Sequence, residues 1–190
     1  MITQKIVGLV VYAFGTPHSN ESNKALVGYV LQLIQQRSEI RFRIYTQNDI
    51  QFEFSDMDVT YFPQLHDEEA PPTLRIARGA AQWARHHIDE LFVIAATPHR
   101  WRALRDTRKA FKEAVVHIPI ELANFKHPYY IHDNGLYFYE YESKGIIDDD
   151  TGYWFDPNGT QIRATSRKHW EGRERILRFM PYPLYCIVAK

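Results

Sequence analysis

Hydrophobic positions along the chain follow two periods, and each marks a different element. Ile6 to Phe14 (IVGLVVYAF) is an unbroken apolar run of strand length. A run without alternation suits a strand covered on both faces. Gly15, Thr16 and Pro17 turn the chain, and Ser19 or Asn20 can cap a helix after the turn. Ala25, Leu26, Tyr29, Val30, Leu33 and Ile34 then recur at three- and four-residue steps, predicting a helix from Glu21 to Arg37. Ile40 to Thr46 (IRFRIYT) alternates as a half-buried strand, which completes a strand–helix–strand unit.

Gln47 to Pro72 is irregular and acidic, with Val59 to Phe62 as a short strand. Thr73 is placed to cap a helix reaching His87, with Leu74, Ala77, Ala80, Ala81 and Ala84 inward and Trp83 at the margin. Leu91 to Ala96 (LFVIAA) is a second continuous apolar run. Thr97 and Pro98 break it, and a helical pattern starts at Trp101. Its apolar face reads Trp101, Leu104, Thr107, Ala110, Phe111 and Ala114. Val115 to Ile120 predicts another strand, and Pro119 puts it at a sheet edge or at a strand end.

Beyond Lys126 the texture changes. LYFYEYES (Leu136 to Ser143) alternates strictly, and Asp156-Pro157-Asn158-Gly159 is a turn signal. This predicts an antiparallel, Tyr-rich excursion. Ser166 to Phe179 returns to helix, Pro181 and Pro183 stop it, and Leu184 to Ala189 reads as a last strand or a buried tail. The whole predicts a single three-layer, Rossmann-like α/β domain with a mostly parallel sheet of about five strands. Residues 1–125 form its core, 126–165 the β-hairpin excursion, and 166–190 a helix and tail returning to the core.

Composition narrows the function classes. Lys plus Arg and Asp plus Glu both number 23, so the formal net charge is zero. No global footprint for nucleic acid or an anionic membrane results. The single cysteine, Cys186, excludes an intramolecular disulfide and any multi-cysteine metal site. It lies in an apolar run, as a structural thiol does, and a reducing cytoplasm is compatible with it. The apolar run after Lys5 is too short to span a bilayer, and no small-residue cleavage site comes after it. A cytoplasmic protein is the expectation.

Candidate chemistry gathers where the second apolar run ends. A helix that starts after the carboxyl end of a parallel strand presents unsatisfied N–H groups at the sheet edge, a ready anion site. Crevices there are where open α/β sheets bind ligands. Thr97 or His99 can cap that helix. Arg102 can hold a carboxylate or phosphate, and His99 is the one acid–base candidate in the turn. Taken singly, the arginines read as a solvated helix face. Together at the mouth of a buried strand, His99 and Arg102 point to a site. The first turn, FGTPHSN, lies on the same edge and brings Gly15 and Thr16, with Thr73 next to them. It is neither a GxGxxG nor a Walker loop. His66, Asp67, Glu68 and Glu69 form a polar loop tip, and the adjacent His86 and His87 lack the i, i+4 spacing of a metal pair, so no metal site is expected.

His99-Arg100-Trp101-Arg102-Ala103 has the form His-x-x-Arg-Ala. The first strand ends at Gly15, Thr73 and Ala77 fit the outer positions of a Thr-x-Glu-Asn-Ala helix start, and WEGRERILRFMPYPLY reads as a closing helix. In that order these features resemble the YdcF/SanA/ElyC-like bacterial family over the larger part of the chain. The departures are Arg75-Ile76 for the family's Glu-Asn, Thr46-Gln47-Asn48-Asp49 for its Ser-Gly-Gly turn, and Ala95 and Ala96 for its hydroxyl residues. The resemblance implies a Rossmann-like domain with a cleft at the strand ends, nucleotide-type ligands such as S-adenosylmethionine, and a link to envelope biology.

Two other readings stand beside it. AFGTPHSNES resembles the opening of class II chelatases of the ferrochelatase type, which would make His18 a ligand in a tetrapyrrole or metal enzyme. The Tyr-rich excursion would alternatively make a non-catalytic interaction domain or a homo-oligomer surface. The reading that the residues favour is binding of a small anionic or nucleotide-like metabolite by Gly15, Thr16, Thr73, Thr97, His99 and Arg102.

Overall fold

A computed structural model of the chain describes residues 4–14, 21–53, 57–63, 72–85, 88–96, 99–123 and 167–188. Five strands form one parallel sheet in the order β3-β2-β1-β4-β5. They are β1 (Ile6–Tyr12), β2 (Arg41–Thr46), β3 (Val59–Tyr61), β4 (Glu90–Ala95) and β5 (Ile120–Leu122). Helices α1 (Glu21–Gln36), α2 (Thr73–Trp83) and α3 (Arg100–Glu113) alternate with them, followed by α4 (Arg167–Phe179) and α5 (Tyr182–Val188). This is the Rossmann-like α/β fold that the alternating periods predict. The Tyr-rich excursion lies outside the described residues.

The two-residue period of β1 builds both layers at once. Val7, Leu9 and Val11 face α1, where they meet Leu26, Val30 and Leu33 together with Phe42, Ile44 and Ile94. Val10 and Tyr12 face the other way, toward α2 and α3. There they join Leu91, Val93, Ala95, Ala77, Ala80, Ala81, Ala103, Ala110 and Phe111. Being central and covered twice, β1 is buried from Val7 to Tyr12, which is why its sequence does not alternate. Each fully buried aliphatic side chain contributes roughly 1.5–3 kcal/mol from burial.

Small residues let α2 lie close to the sheet. A Cβ at Gly79 would strike the Tyr45 hydroxyl and approach the Phe62 ring to 3.1 Å. Glycine costs about 1 kcal/mol in a helix interior, and that close approach is the reason for it here.

Three elements differ from the sequence reading. The strand expected over Val115 to Ile120 begins only at Ile120, because Ala114 and Val115 close α3 and Val116 to Pro119 are irregular. Val115 sits at φ 57, and Val116 N–H reaches back to the Phe111 carbonyl at 2.9 Å, a Schellman-type stop. As expected for a proline-flanked strand, β5 is at the sheet edge. The segment expected as a last strand or a buried tail is instead helix α5, of which Tyr185 is buried while Leu184, Ile187 and Val188 are exposed. Pro183 does not stop it, because proline is tolerated in the first turn, where its missing N–H has no helical partner. Finally, Trp101, placed on the inner face of α3, is 47% exposed. The buried stripe runs Ala103, Leu104, Asp106, Thr107, Ala110 and Phe111.

Helix α5 returns to the core through Tyr185, which packs with Leu74 and Leu177, and Cys186 lies against that cluster. Among the described residues no helix is long and apolar enough to cross a membrane.

Candidate functional site

From β1 the chain moves outward to β2 and β3, then crosses back to place β4 on β1's other side. The carboxyl ends of β1 and β4 therefore flank the point where the strand order reverses. Helices that start on opposite faces leave a crevice there. Tyr12 ends β1, and His99 comes just after β4.

The turn into α3 is tight. His99 N–H and Arg100 N–H both donate to the Ala96 carbonyl, at 2.9 and 3.0 Å. His99 stands at the N-cap position, but in helical conformation and without a side-chain cap bond. Its ring turns inward instead and is only 5% exposed. Nδ1 lies 3.1 Å from Arg102 Nη2, and Nε2 lies 3.3 Å from Thr73 Oγ1. A guanidinium only donates, so Nδ1 is the acceptor. The neutral imidazole then carries its proton on Nε2, aimed at the Thr73 hydroxyl. This tautomer is set by the hydrogen-bond network.

Thr73 does this in place of capping. The N-cap of α2 is Pro72, no side-chain cap bond forms, and Thr73 is the first helical residue, with its hydroxyl turned toward His99. Thr73, His99 and Arg102 are thus in contact, although 26 positions separate the first two. Gly15, Thr16 and Thr97 lie outside the described residues, as do His18, His66 to Glu69, His86 and His87.

A second set of groups surrounds this contact, and none of them was picked out in the sequence as a site residue, although Thr107 was placed on the inner face. The Tyr12 ring meets His99 edge-on, with centroids 6.1 Å apart and planes at 65°. Thr107 Oγ1 donates to the Ala103 carbonyl at 2.8 Å, so the Tyr12 hydroxyl, 2.7 Å from the same oxygen, is the donor there. Burial raises the Tyr12 phenol well above its ordinary pKa. Asp106, one turn beyond Arg102, is fully buried. It accepts from Arg105 Nε and Nη2 at 3.0 and 2.9 Å and from the Tyr185 hydroxyl of α5. Burial raises its carboxyl pKa; the Tyr185 hydrogen bond and then Arg105 and Arg102 oppose that rise. Tyr185 is pushed up to about 12, mainly by burial and then by the Asp106 charge, while Arg102 acts in the opposite sense. The guanidinium of Arg105 lies over the Tyr185 ring at 4.0 Å. It also donates to the Leu177 carbonyl.

The other wall of the crevice is held by side chain to backbone bonds. Beyond the β1 ladder, Ala13 N–H donates to Gln47 Oε1 and Phe14 N–H to Asn23 Oδ1, both at 2.9 Å. Thr46 Oγ1 donates to the Val11 carbonyl at 3.0 Å. Buried backbone groups need such partners once the ladder ends.

The signal for Asp106 and Thr107 was the spacing of polar residues inside an otherwise small-residue stripe: His99, Ala103, Asp106, Ala110. Trp101 drew the predicted face off that stripe. Tyr12, Asn23, Gln47 and Tyr185 carried no local signal, since only the topology brings them to this edge.

Chemically, the edge offers donors: a half-buried guanidinium and the Thr73 hydroxyl, whose oxygen accepts the Nε2 proton of His99. Among the described residues, no cluster of three or more His, Cys, Asp or Glu side chains could hold a metal ion. Comparison of the chain with protein-family models, with curated proteins and with solved structures gives no match.

Proposed function

We propose that the chain binds a small anionic or nucleotide-like metabolite in the crevice outside the carboxyl ends of β1 and β4. Arg102 takes the ligand's carboxylate or phosphate, and the Thr73 hydroxyl, whose oxygen accepts the Nε2 proton of His99, offers its own proton beside it. Thr73 fixes the imidazole. Gly15, Thr16 and Thr97 belong to the proposal through the sequence alone. The observation that carries the reading is the part-buried His99–Arg102 contact at the point where the strand order reverses. The likeness to the YdcF/SanA/ElyC-like family supports a nucleotide-type ligand, S-adenosylmethionine among them. With Nδ1 taken by Arg102, any proton transfer by His99 goes through Nε2.

Calorimetric titration of wild type, Arg102→Ala and His99→Ala with adenosine monophosphate and with S-adenosylmethionine tests this. A charge-assisted hydrogen bond contributes about 1.5–3 kcal/mol, so Arg102→Ala should weaken binding by roughly ten- to a hundredfold. Equal affinities in wild type and Arg102→Ala would remove Arg102 from the site.

A further inference from the structure

A groove runs along the outer face of α3, away from the crevice. It encloses about 370 Å³ and is lined by Trp101, Leu104, Arg105, Arg108, Lys109 and Lys112. These positions follow the i, i+3, i+4, i+7, i+8, i+11 spacing of one helix face and cover three turns, roughly 16 Å of helix. Its apolar parts are the Trp101 ring, the buried Leu104 and the aliphatic stems of the basic residues, whose charged heads form the rim.

The charge here is local. The chain is neutral overall, yet α3 carries six cations and two carboxylates. Asp106 pairs with Arg105, and neither carboxylate pairs with Arg108, Lys109 or Lys112. Asp106 is buried and held by Arg105 and Tyr185, and Glu113 pairs with Arg78 of α2 at 3.3 Å. Arg108 donates to the Ile120 carbonyl, and the Lys109 ammonium lies 5.2 Å from the centre of the Tyr182 ring. Among the described residues, Arg108, Lys109 and Lys112 make no ion pair. Arg105 with Lys109, and Arg108 with Lys112, are like-charge pairs at i, i+4, which destabilise a helix by a few tenths of a kcal/mol each. The helix bears that repulsion and also exposes a tryptophan. Exposed aromatics and arginines are the residues most enriched at interface centres.

We infer that this groove docks an acidic, amphipathic peptide segment of a partner protein. Carboxylates of the segment pair with Arg108, Lys109 and Lys112, and one of its apolar side chains rests on Trp101 and Leu104. Charge complementarity fixes the sign of the occupant. The apolar parts favour a peptide over a phosphate polymer, because single-stranded nucleic acid needs a succession of stacking aromatics. A lipid surface would require a projecting apolar face rather than a groove.

The probe is a fluorescein-labelled peptide repeating Glu-Glu-Leu-Phe, followed by fluorescence anisotropy, with circular dichroism as the folding control. Wild type should bind it, and more weakly as salt rises. Lys109→Glu with Lys112→Glu should weaken binding at least tenfold, and Trp101→Ala about fivefold. Lys112→Glu alone, at an exposed position, gives the same direction of effect without risk to the fold. Absence of binding, or equal affinity across these variants, would overturn the inference. So would tighter binding of oligothymidylate or of anionic vesicles than of the peptide. Self-association that the double variant abolishes would overturn it in favour of a second copy. Peptide binding seen only after Asp148, Asp149 and Asp150 are changed to Asn would overturn it in favour of the chain's own acidic run.

Discussion

The two layers that cover the sheet are built differently. Under α1, the packing is large and apolar: Val7, Leu9, Val11, Leu26, Val30, Phe42, Ile44 and Ile94. Under α2 and α3 the helices themselves contribute mostly alanine, at 77, 80, 81, 84, 103 and 110, packed on larger side chains such as Tyr12, Tyr45, Phe62, Leu91 and Val93. Into that small-residue layer come four buried polar groups, Thr73, His99, Asp106 and Thr107, whereas among the described residues α1 brings Asn23, which bonds the Phe14 N–H. Buried polar groups cost stability unless they are paired, and large apolar side chains do not. The α1 layer therefore reads as the stabilising half of the molecule, and the α2–α3 layer as the half that gives up burial to hold a polar constellation at the sheet edge. Both rest on the same strand, so β1 carries the two roles on alternate residues.

The comparison breaks most readily at Leu26. Leu26→Ala should cost about 3 kcal/mol in urea unfolding, within the range for buried leucines. Nucleotide affinity of the folded protein should stay unchanged. A change in affinity would mean that the layers are not separable. Next is Tyr185→Phe, which takes a hydrogen bond from a buried carboxylate and should cost about 2 kcal/mol by the same measurement. Tyr12→Phe should cost less, about 1 kcal/mol. Thr107 keeps its bond to Ala103, and the ring stays against His99.

Asp106 sharpens the comparison through pH. Its folded-state pKa lies above the ordinary carboxylate value of 3.8, so the native state keeps a proton that the unfolded chain has lost. The stability this contributes is fully present below 3.8 and is lost as pH rises through the raised value. Unfolding midpoints of wild type relative to Asp106→Asn should therefore fall as pH rises from acid toward neutrality. A difference that grows with pH would contradict the burial argument.

The smallest effect lies outside both layers. Val115 is a β-branched residue in the left-handed region, which costs roughly 1–2 kcal/mol for an L-residue. Glycine removes that cost but adds chain entropy of about 0.5–1 kcal/mol. Val115→Gly should stabilise the protein by about 0.5 kcal/mol and leave binding alone.

The fold was legible because it rests on periods that any strand or helix must show. The runs at Ile6 and Leu91 marked the central strands, and the stripe from Ala25 to Ile34 marked α1. Where two signals competed, the reading slipped. The apolar run after Pro183 looked like a strand or a buried tail, and a tryptophan on α3 looked like core. At the candidate site, the His99–Arg102 pair was legible because its members are three residues apart on one helix. Tyr12, Asp106 and Tyr185 were not, because the contacts of Tyr12 with Thr107 and of Tyr185 with Asp106 span 95 and 79 positions, and only the closed fold brings them together.

The most direct test of the central claim is a crystal structure of the protein soaked with adenosine monophosphate. The account predicts the phosphate within hydrogen-bonding distance of Arg102, beside His99, outside the ends of β1 and β4. A phosphate bound elsewhere, with the His99–Arg102 contact undisturbed and no ligand in the crevice, would contradict it.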